Sequence, residues 1–258
     1  MIRIRGVSKL YRIGKPTTNL KEALAGWLSG RPSTDWVWAL RDVNLSVNAG
    51  EAVGIVGHNG AGKSTLLRLL ARVSKATMGQ VETKGRMATL LELGAGFHPD
   101  LTGRENVFLN GTLLGLTRAE IRRRFDEIVA FSEVERFIDT PVKHFSRGMT
   151  LRLSFAIVAH LNCDLLLIDE VLSVGDARFA EKCLVRMRCL RDQGMTIVIT
   201  SHDLPRMVSF CSRALLFRSG CLVADGQPQE IVHRYREKEV RQSIDHKQAS
   251  HALADLAH

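Results

Sequence analysis

The 258 residues suffice for one large or two small domains, and a hydrophobic share of 45% is that of an ordinary globular α/β protein with a sizeable core. No stretch approaches the roughly eighteen apolar residues of a membrane span, and Met1 to Gly6 lacks the apolar centre of a signal peptide, so a cytosolic chain is expected. A formal charge of +9 suits nucleic acid, an anionic membrane surface or plain solubility, but the basic residues are scattered and no aromatics interleave with them to stack bases.

In chain order, residues 1–13 read as a strand followed by a turn, and Val43 to Val47 alternates like a second strand before the Asn48-Ala49-Gly50 turn. Between them Leu20, Leu24, Trp27 and Leu28 recur at amphipathic spacing. This predicts a short helix over 18–28, either a contact element or a cover for the sheet, and then a loop over 29–35. Ala52 to Val56 is apolar enough for a buried strand, and it runs into Gly57 to Ser64, GHNGAGKS. That is a full G-x-x-x-x-G-K-S loop: its glycines let backbone N–H groups turn inward on phosphates, Lys63 supplies a point charge for the β- and γ-phosphates, and Ser64 offers a hydroxyl to Mg²⁺. The run Ser64 to Leu70 predicts a helix with its positive end toward the anion.

Gly85 to Leu91 is apolar and leads into the glycine-bearing loop Glu92 to Thr102. Arg104 to Leu114, Arg118 to Ser132 and Val134 to Phe137 then predict a mainly helical insertion ending at Pro141. Within it Ile121, Phe125, Ile128 and Val129 keep helical spacing, and the run Arg122 to Arg124 fits a solvated helix face better than a phosphate patch. The segment after Gly148 is helical by period and feeds an apolar strand, Leu165 to Glu170 (LLLIDE). Thr196 to Thr200, Ala214 to Phe217 and Leu222 to Ala224 read as further strands separated by helices, so βαβ alternation frames the insertion. Residues 241–258 read as a mobile tail or a loosely held helix. Cys163, Cys183, Cys189, Cys211 and Cys221 form no zinc or C-x-x-C spacing and read as reduced structural thiols.

The carboxylates that end LLLIDE suit phosphate chemistry. Asp169 at the strand end can hold Mg²⁺, directly or through water, and Glu170 can orient and polarise an attacking water. His202 can reach a γ-phosphate from the neighbouring loop. Taken singly, Asp-Glu after a strand also fits a helix cap and a lone His a satisfied surface residue; the phosphate loop is what joins them.

Six stretches in order, spanning residues 1–235, resemble the nucleotide-binding subunit of an ABC transporter. Tyr11 is similar to the aromatic that stacks on adenine, and Gly57, His58, Asn59, Gly60, Ala61, Gly62, Lys63, Ser64 and Thr65 to the Walker A loop. Leu165 to Glu170 resembles Walker B, Phe145 to Met149 (FSRGM) the signature loop, Ser173 to Asp176 the D-loop, and His202 the switch histidine. The resemblance implies an α/β P-loop NTPase cassette with an N-terminal antiparallel β subdomain, a RecA-like mixed core sheet and a helical insertion. It places the cassette over 1–240, its helical subdomain over about 100–160 and an inserted gate-like helix over about 18–28. It further implies ATP and Mg²⁺, and a homodimer of cassettes in which Ser146 and the Gly148 N–H act on the partner's ATP.

Two departures from the common family pattern stand out. Arg147 and Met149 replace a glycine and a glutamine of the signature, and Glu92 stands where a glutamine metal ligand is usual. With LLELGAGFHPDLTGREN and DEVLSVGD, these look like the branch that exports bacterial surface polysaccharides such as O-antigen, capsule or teichoic acid. That implies a separate multi-span permease handling a lipid-linked glycan, a place on the cytoplasmic face of the inner membrane, and no nucleic-acid partner. The stretch after the cassette is too short for an appended carbohydrate-binding domain. An alternative is a soluble ABC-type ATPase acting on nucleic acid or ribosomes, but neither its long coiled coil nor fused cassettes are present. A poorly hydrolysing regulator is disfavoured by Glu170 and His202.

Overall fold

A slip in the first strand shapes the first layer. In the computed structural model, which describes residues 1–13, 35–90, 96–160, 163–169 and 176–237, β1 (Ile2–Ile13) buries Ile2 and Ile4 and then Val7 and Ser8, with Gly6 at φ 57 between the pairs. Its pairings are bulged there, and the bulge changes which side chains face the core. β1 lies antiparallel between β2 (Asp35–Val47) and β4 (Met78–Thr83) in a three-stranded sheet. The turn expected within residues 1–13 is replaced by strand, because pairing continues through Tyr11 opposite Val37 to Ile13 opposite Asp35.

The second sheet holds β5 (Met87–Leu90), β6 (Leu165–Asp169), β7 (Thr196–Thr200), β3 (Ala52–Val56), β8 (Arg213–Arg218) and β9 (Cys221–Gly226), in that spatial order. All its neighbours are parallel except β8 and β9. Every residue of β3 and β7 is buried, as befits parallel strands covered on both faces. Period-two alternation divides the side chains of β3 and β6 between two cores. Val53, Ile55, Leu165 and Leu167 pack with the antiparallel sheet and with α1 (Lys63–Leu70); Ala52, Val56, Leu166 and Ile168 pack with the helices.

The helical insertion comprises α2 (Gly103–Leu113), α3 (Arg118–Ser132) and α4 (Arg147–Ala159), joined by 3₁₀ turns at Glu135–Phe137 and Val142–His144. Thr102 with Glu105, and Thr117 with Glu120, form reciprocal capping boxes that set where α2 and α3 begin. The predicted apolar face of α3 is buried. Arg122 and Arg123 are exposed as expected, whereas Arg124 bonds the His160 carbonyl at the end of α4. Arg186 of α5 (Ala177–Asp192) donates to the Ala159 carbonyl there at 2.9 Å, so two cations meet the negative end of α4.

A second expectation is corrected. β8 and β9 are not separated by a helix but by a tight Ser219-Gly220 turn, both residues at positive φ. β4 was not foreseen, because MGQVET is largely exposed at a sheet edge and carries no apolar alternation. A short α6 (Leu204–Phe210) follows β7, and residues 228–237 are helical with Ile231 and Val232 buried. The predicted helix over 18–28, Glu92, Glu170, residues 173–175 and the tail 241–258 lie outside the described residues.

Candidate nucleotide site

The site lies at the carboxyl edge of the parallel sheet, where open α/β sheets receive ligands. There β3 passes into α1 through residues 57–62, β6 ends at Asp169, and β7 ends at Thr200. Gly62 caps α1 at φ 105, and a Cβ on it would lie 2.6 Å from the Ala39 carbonyl oxygen. A Cβ on Gly57 would lie 2.4 Å from that of Phe217. Both glycines are therefore required by close backbone approach. The loop is also clamped from behind: Gly220 N donates to Ala61 O at 3.0 Å, and Arg41 N donates to Gly220 O at 2.9 Å.

The first turn of α1 has no side-chain cap and no acidic residue, so neither occupies its amide N–H groups or its positive dipole end. Lys63 Nζ donates to the carbonyls of Gly57 (2.6 Å) and His58 (3.0 Å), which holds the ammonium inside the loop. Opposite, Asp169 Oδ1 accepts from the Thr200 hydroxyl, its register partner on β7. Asp203 N donates to Ser201 Oγ at 3.0 Å and shapes the turn that carries His202.

These groups surround a cavity of about 570 Å³ lined by Tyr11, Val37 to Ala39, Asn59 to Thr65, Asp169 and Thr200 to His202. One end is aromatic and apolar; the other gathers an ammonium, hydroxyls, a carboxylate and an imidazole. Tyr11 is 36% exposed, pairs with Val37, and carries Lys9 Nζ 4.8 Å from its ring centroid. Such a cleft has the size and polarity for a nucleotide. Among the described residues no cluster of three His, Cys, Asp or Glu side chains could hold a metal by itself. The donors Ser64 and Asp169 fit a hard cation that also takes oxygens from substrate phosphates, as Mg²⁺ does.

The structure thus brings Tyr11, Asn59 to Thr65, Asp169 and His202 to one cavity. Gly57 and His58 contribute carbonyls, while the exposed His58 ring sits 2.6 Å from Asn59 O. Ser146 and Gly148 are not on this wall. Sequence reading missed Val37, Trp38, Ala39, Thr200 and Ser201; for Thr200 and Ser201 the available signal was their place at the end of a parallel strand.

Residues 40–173 match the family model described as ABC transporter. The chain belongs to the ABC transporter family. The cassette is 47% identical over 242 residues to the O-antigen export system ATP-binding protein RfbB of Myxococcus xanthus, covering 92% of this chain and 55% of that protein. It is 45% identical over 199 residues to the RfbB protein of Klebsiella pneumoniae, covering 77% of this chain and 81% of that one. Its fold matches a dimeric ATP-binding cassette solved in a post-hydrolysis state with ADP and Pi, at a TM-score of 0.72 and 24% identity over 88% of this chain and 99% of the other.

In the cassette, Ser146 is the N-cap of α4 and accepts from Met149 N at 3.2 Å. Gly148 lies in the first turn, and a Cβ there would meet only Ser146 Oγ, at 3.8 Å. Nothing among the described residues requires glycine at this position. Asp176 caps α5 through Phe179 N (2.9 Å) and is held below the usual carboxylate range, first by that bond and then by the charge of Arg152. No helix among the described residues is long and apolar enough to cross a membrane.

Proposed function

We propose that this protein is the ATP-hydrolysing subunit of a transporter that exports a lipid-linked surface polysaccharide of the O-antigen kind. The convergence of Lys63, Ser64, Asp169 and His202 at one cavity carries the ATPase part of the reading. Similarity at 47% and 45% identity to O-antigen export proteins supports the cargo.

Tyr11 and Val37 offer the adenine a flat apolar seat, and the loop amides with Lys63 hold the phosphates. Ser64 and Asp169 would hold Mg²⁺, which neutralises phosphate charge when bound. Glu170 takes a proton from the water that attacks the γ-phosphorus as the bond to the ADP oxygen breaks, and His202 donates to a γ-phosphate oxygen. Two cassettes face each other, and Ser146 with the Gly148 N–H contacts the partner's γ-phosphate. The glycine is then needed for approach from outside the chain, in keeping with the lack of any close contact for a Cβ there among the described residues. Glu92, a carboxylate oxygen donor, is assigned to the Mg²⁺ site and to the link with a separate membrane permease at the cytoplasmic face of the inner membrane.

Purified Glu170→Gln should bind ATP yet turn over roughly a hundredfold or more slowly, the usual worth of a positioned base. Lys63→Ala should lose ATP binding by calorimetry. Deleting the gene should abolish long surface polysaccharide and leave lipid-linked glycan inside the cell. Parental turnover in Glu170→Gln would remove the catalytic assignment, and unaltered surface glycan would remove the cargo.

A further inference from the structure

Arg152 sits on α4 beyond the first turn that carries Gly148, and its side chain is only 19% exposed. One end of its guanidinium donates to Glu133 Oε2 at 2.8 Å, the other to Asp176 Oδ2, and its plane lies over the Phe179 ring at 4.7 Å. Glu133 ends α3 in a left-handed conformation, φ 59, and also accepts from Arg178 (2.9 Å) and Lys182 (3.0 Å) of α5. Asp176 uses its other oxygen, Oδ1, to cap α5. One arginine therefore joins three elements that the sequence keeps apart.

We infer that Arg152 is a positioning residue: through Asp176 it fixes the N-terminal turn of α4 to the start of α5, so that Ser146 and Gly148 meet the second cassette from a set direction. The inference rests on the proposed cassette dimer. For the arm to Asp176 a stabilising role alone fits poorly. The Asp176 side chain is 58% exposed, and an ion pair so solvated adds little to folding. A planar fork engaged on two carboxylates does fix direction, which a lysine or an apolar residue cannot do. The direction fixed here is that of the helix end proposed to touch the partner's phosphate.

The test uses the full chain carrying Glu170→Gln and measures ATP-driven dimerisation by analytical ultracentrifugation, with fluorescent-nucleotide affinity of the monomer and thermal melting alongside. Asp176→Asn keeps an oxygen for the α5 cap but weakens the pairing with Arg152, and Arg152→Lys keeps the charge but loses the fork. Each should weaken dimerisation roughly tenfold while monomer affinity stays within about twofold, since misplacing a contact group costs at least that much. Combined, they should cost no more than one alone. Dimerisation at the parental level in both variants, or losses that multiply in the double variant, would overturn the inference. If Arg152→Lys folds poorly, the exposed Asp176→Asn decides alone. If the Glu170→Gln parent does not dimerise with ATP, the dimer reading itself has failed, visible before either variant is compared.

Discussion

Single side chains show how burial sets reactivity in this cassette. Desolvation raises the thiols of Cys163 to about 11 and of Cys183 and Cys211 to about 12, so none is a nucleophile near neutral pH. Cys189 is exposed on α5. Iodoacetamide on the native protein at neutral pH should therefore alkylate Cys189 and leave Cys183 and Cys211 untouched until denaturant is added, a pattern that peptide mass spectrometry reads directly. Modification of Cys211 in the folded protein would contradict its burial at the C-terminal end of α6. The phosphate loop was legible at this scale because its chemistry is local: Gly57 to Ser64 announce themselves by spacing. Thr200 was not, since its bond to Asp169 comes from strand pairing between residues far apart in sequence.

At the scale of elements, the loop before α2 depends on a single polar side chain. Asn106 is fully buried; its Oδ1 accepts from His98 N at 2.7 Å, and its Nδ2 donates to the carbonyls of His98, Leu101 and Thr102, each at 3.0 Å. Asn106→Ala would strand these groups at a cost of about 1–3 kcal/mol. For a domain of this size that should lower Tm by several degrees, roughly 2–4 °C for each kcal/mol. Asn110 is more accessible and, among the described residues, donates to Gly96 O and Asn106 O, so Asn110→Ala should lower Tm less in the same calorimetry. Equal losses would mean that burial does not govern this loop. Most elements were readable in the sequence: α3 by its apolar spacing, and β3, β6 and β7 by apolar runs. The start of α2 lies one residue before the expected Arg104, where Thr102 and Glu105 form a T-x-x-E capping box that the periodicity alone does not show. β4 and the full extent of β2 were not readable, because their existence depends on β1 as a partner and not on any pattern of their own.

Across the whole molecule, the cluster around Glu133 couples the insertion to the nucleotide-binding core, and its charge makes that coupling sensitive to acid. The Lys182 bond and then Arg178 outweigh desolvation and hold the Glu133 carboxyl below its ordinary 4.5. A carboxylate depressed in the fold contributes stability that is fully present above its unfolded value and is lost as pH falls through the folded one. The melting temperature of the parent should therefore fall below about pH 4.5 more steeply than that of Glu133→Gln, which lacks this proton linkage. Parallel curves for the two proteins would show that Glu133 is not part of the acid response.

The open space at Gly148 carries a genetic consequence. A Cβ there meets only Ser146 Oγ, at an ordinary contact distance among the described residues, and a carboxylate suits a helix start, so Gly148→Asp should fold and still take up ATP. In the proposed dimer each ATP is served by the phosphate loop of one copy and the α4 end of the other. Mixing Gly148→Asp with Lys63→Ala then builds one composite site from two sound halves, while the second site collects both lesions. Two inactive alleles expressed together should restore part of the export that neither supports alone, and two alleles damaged in the same half should not.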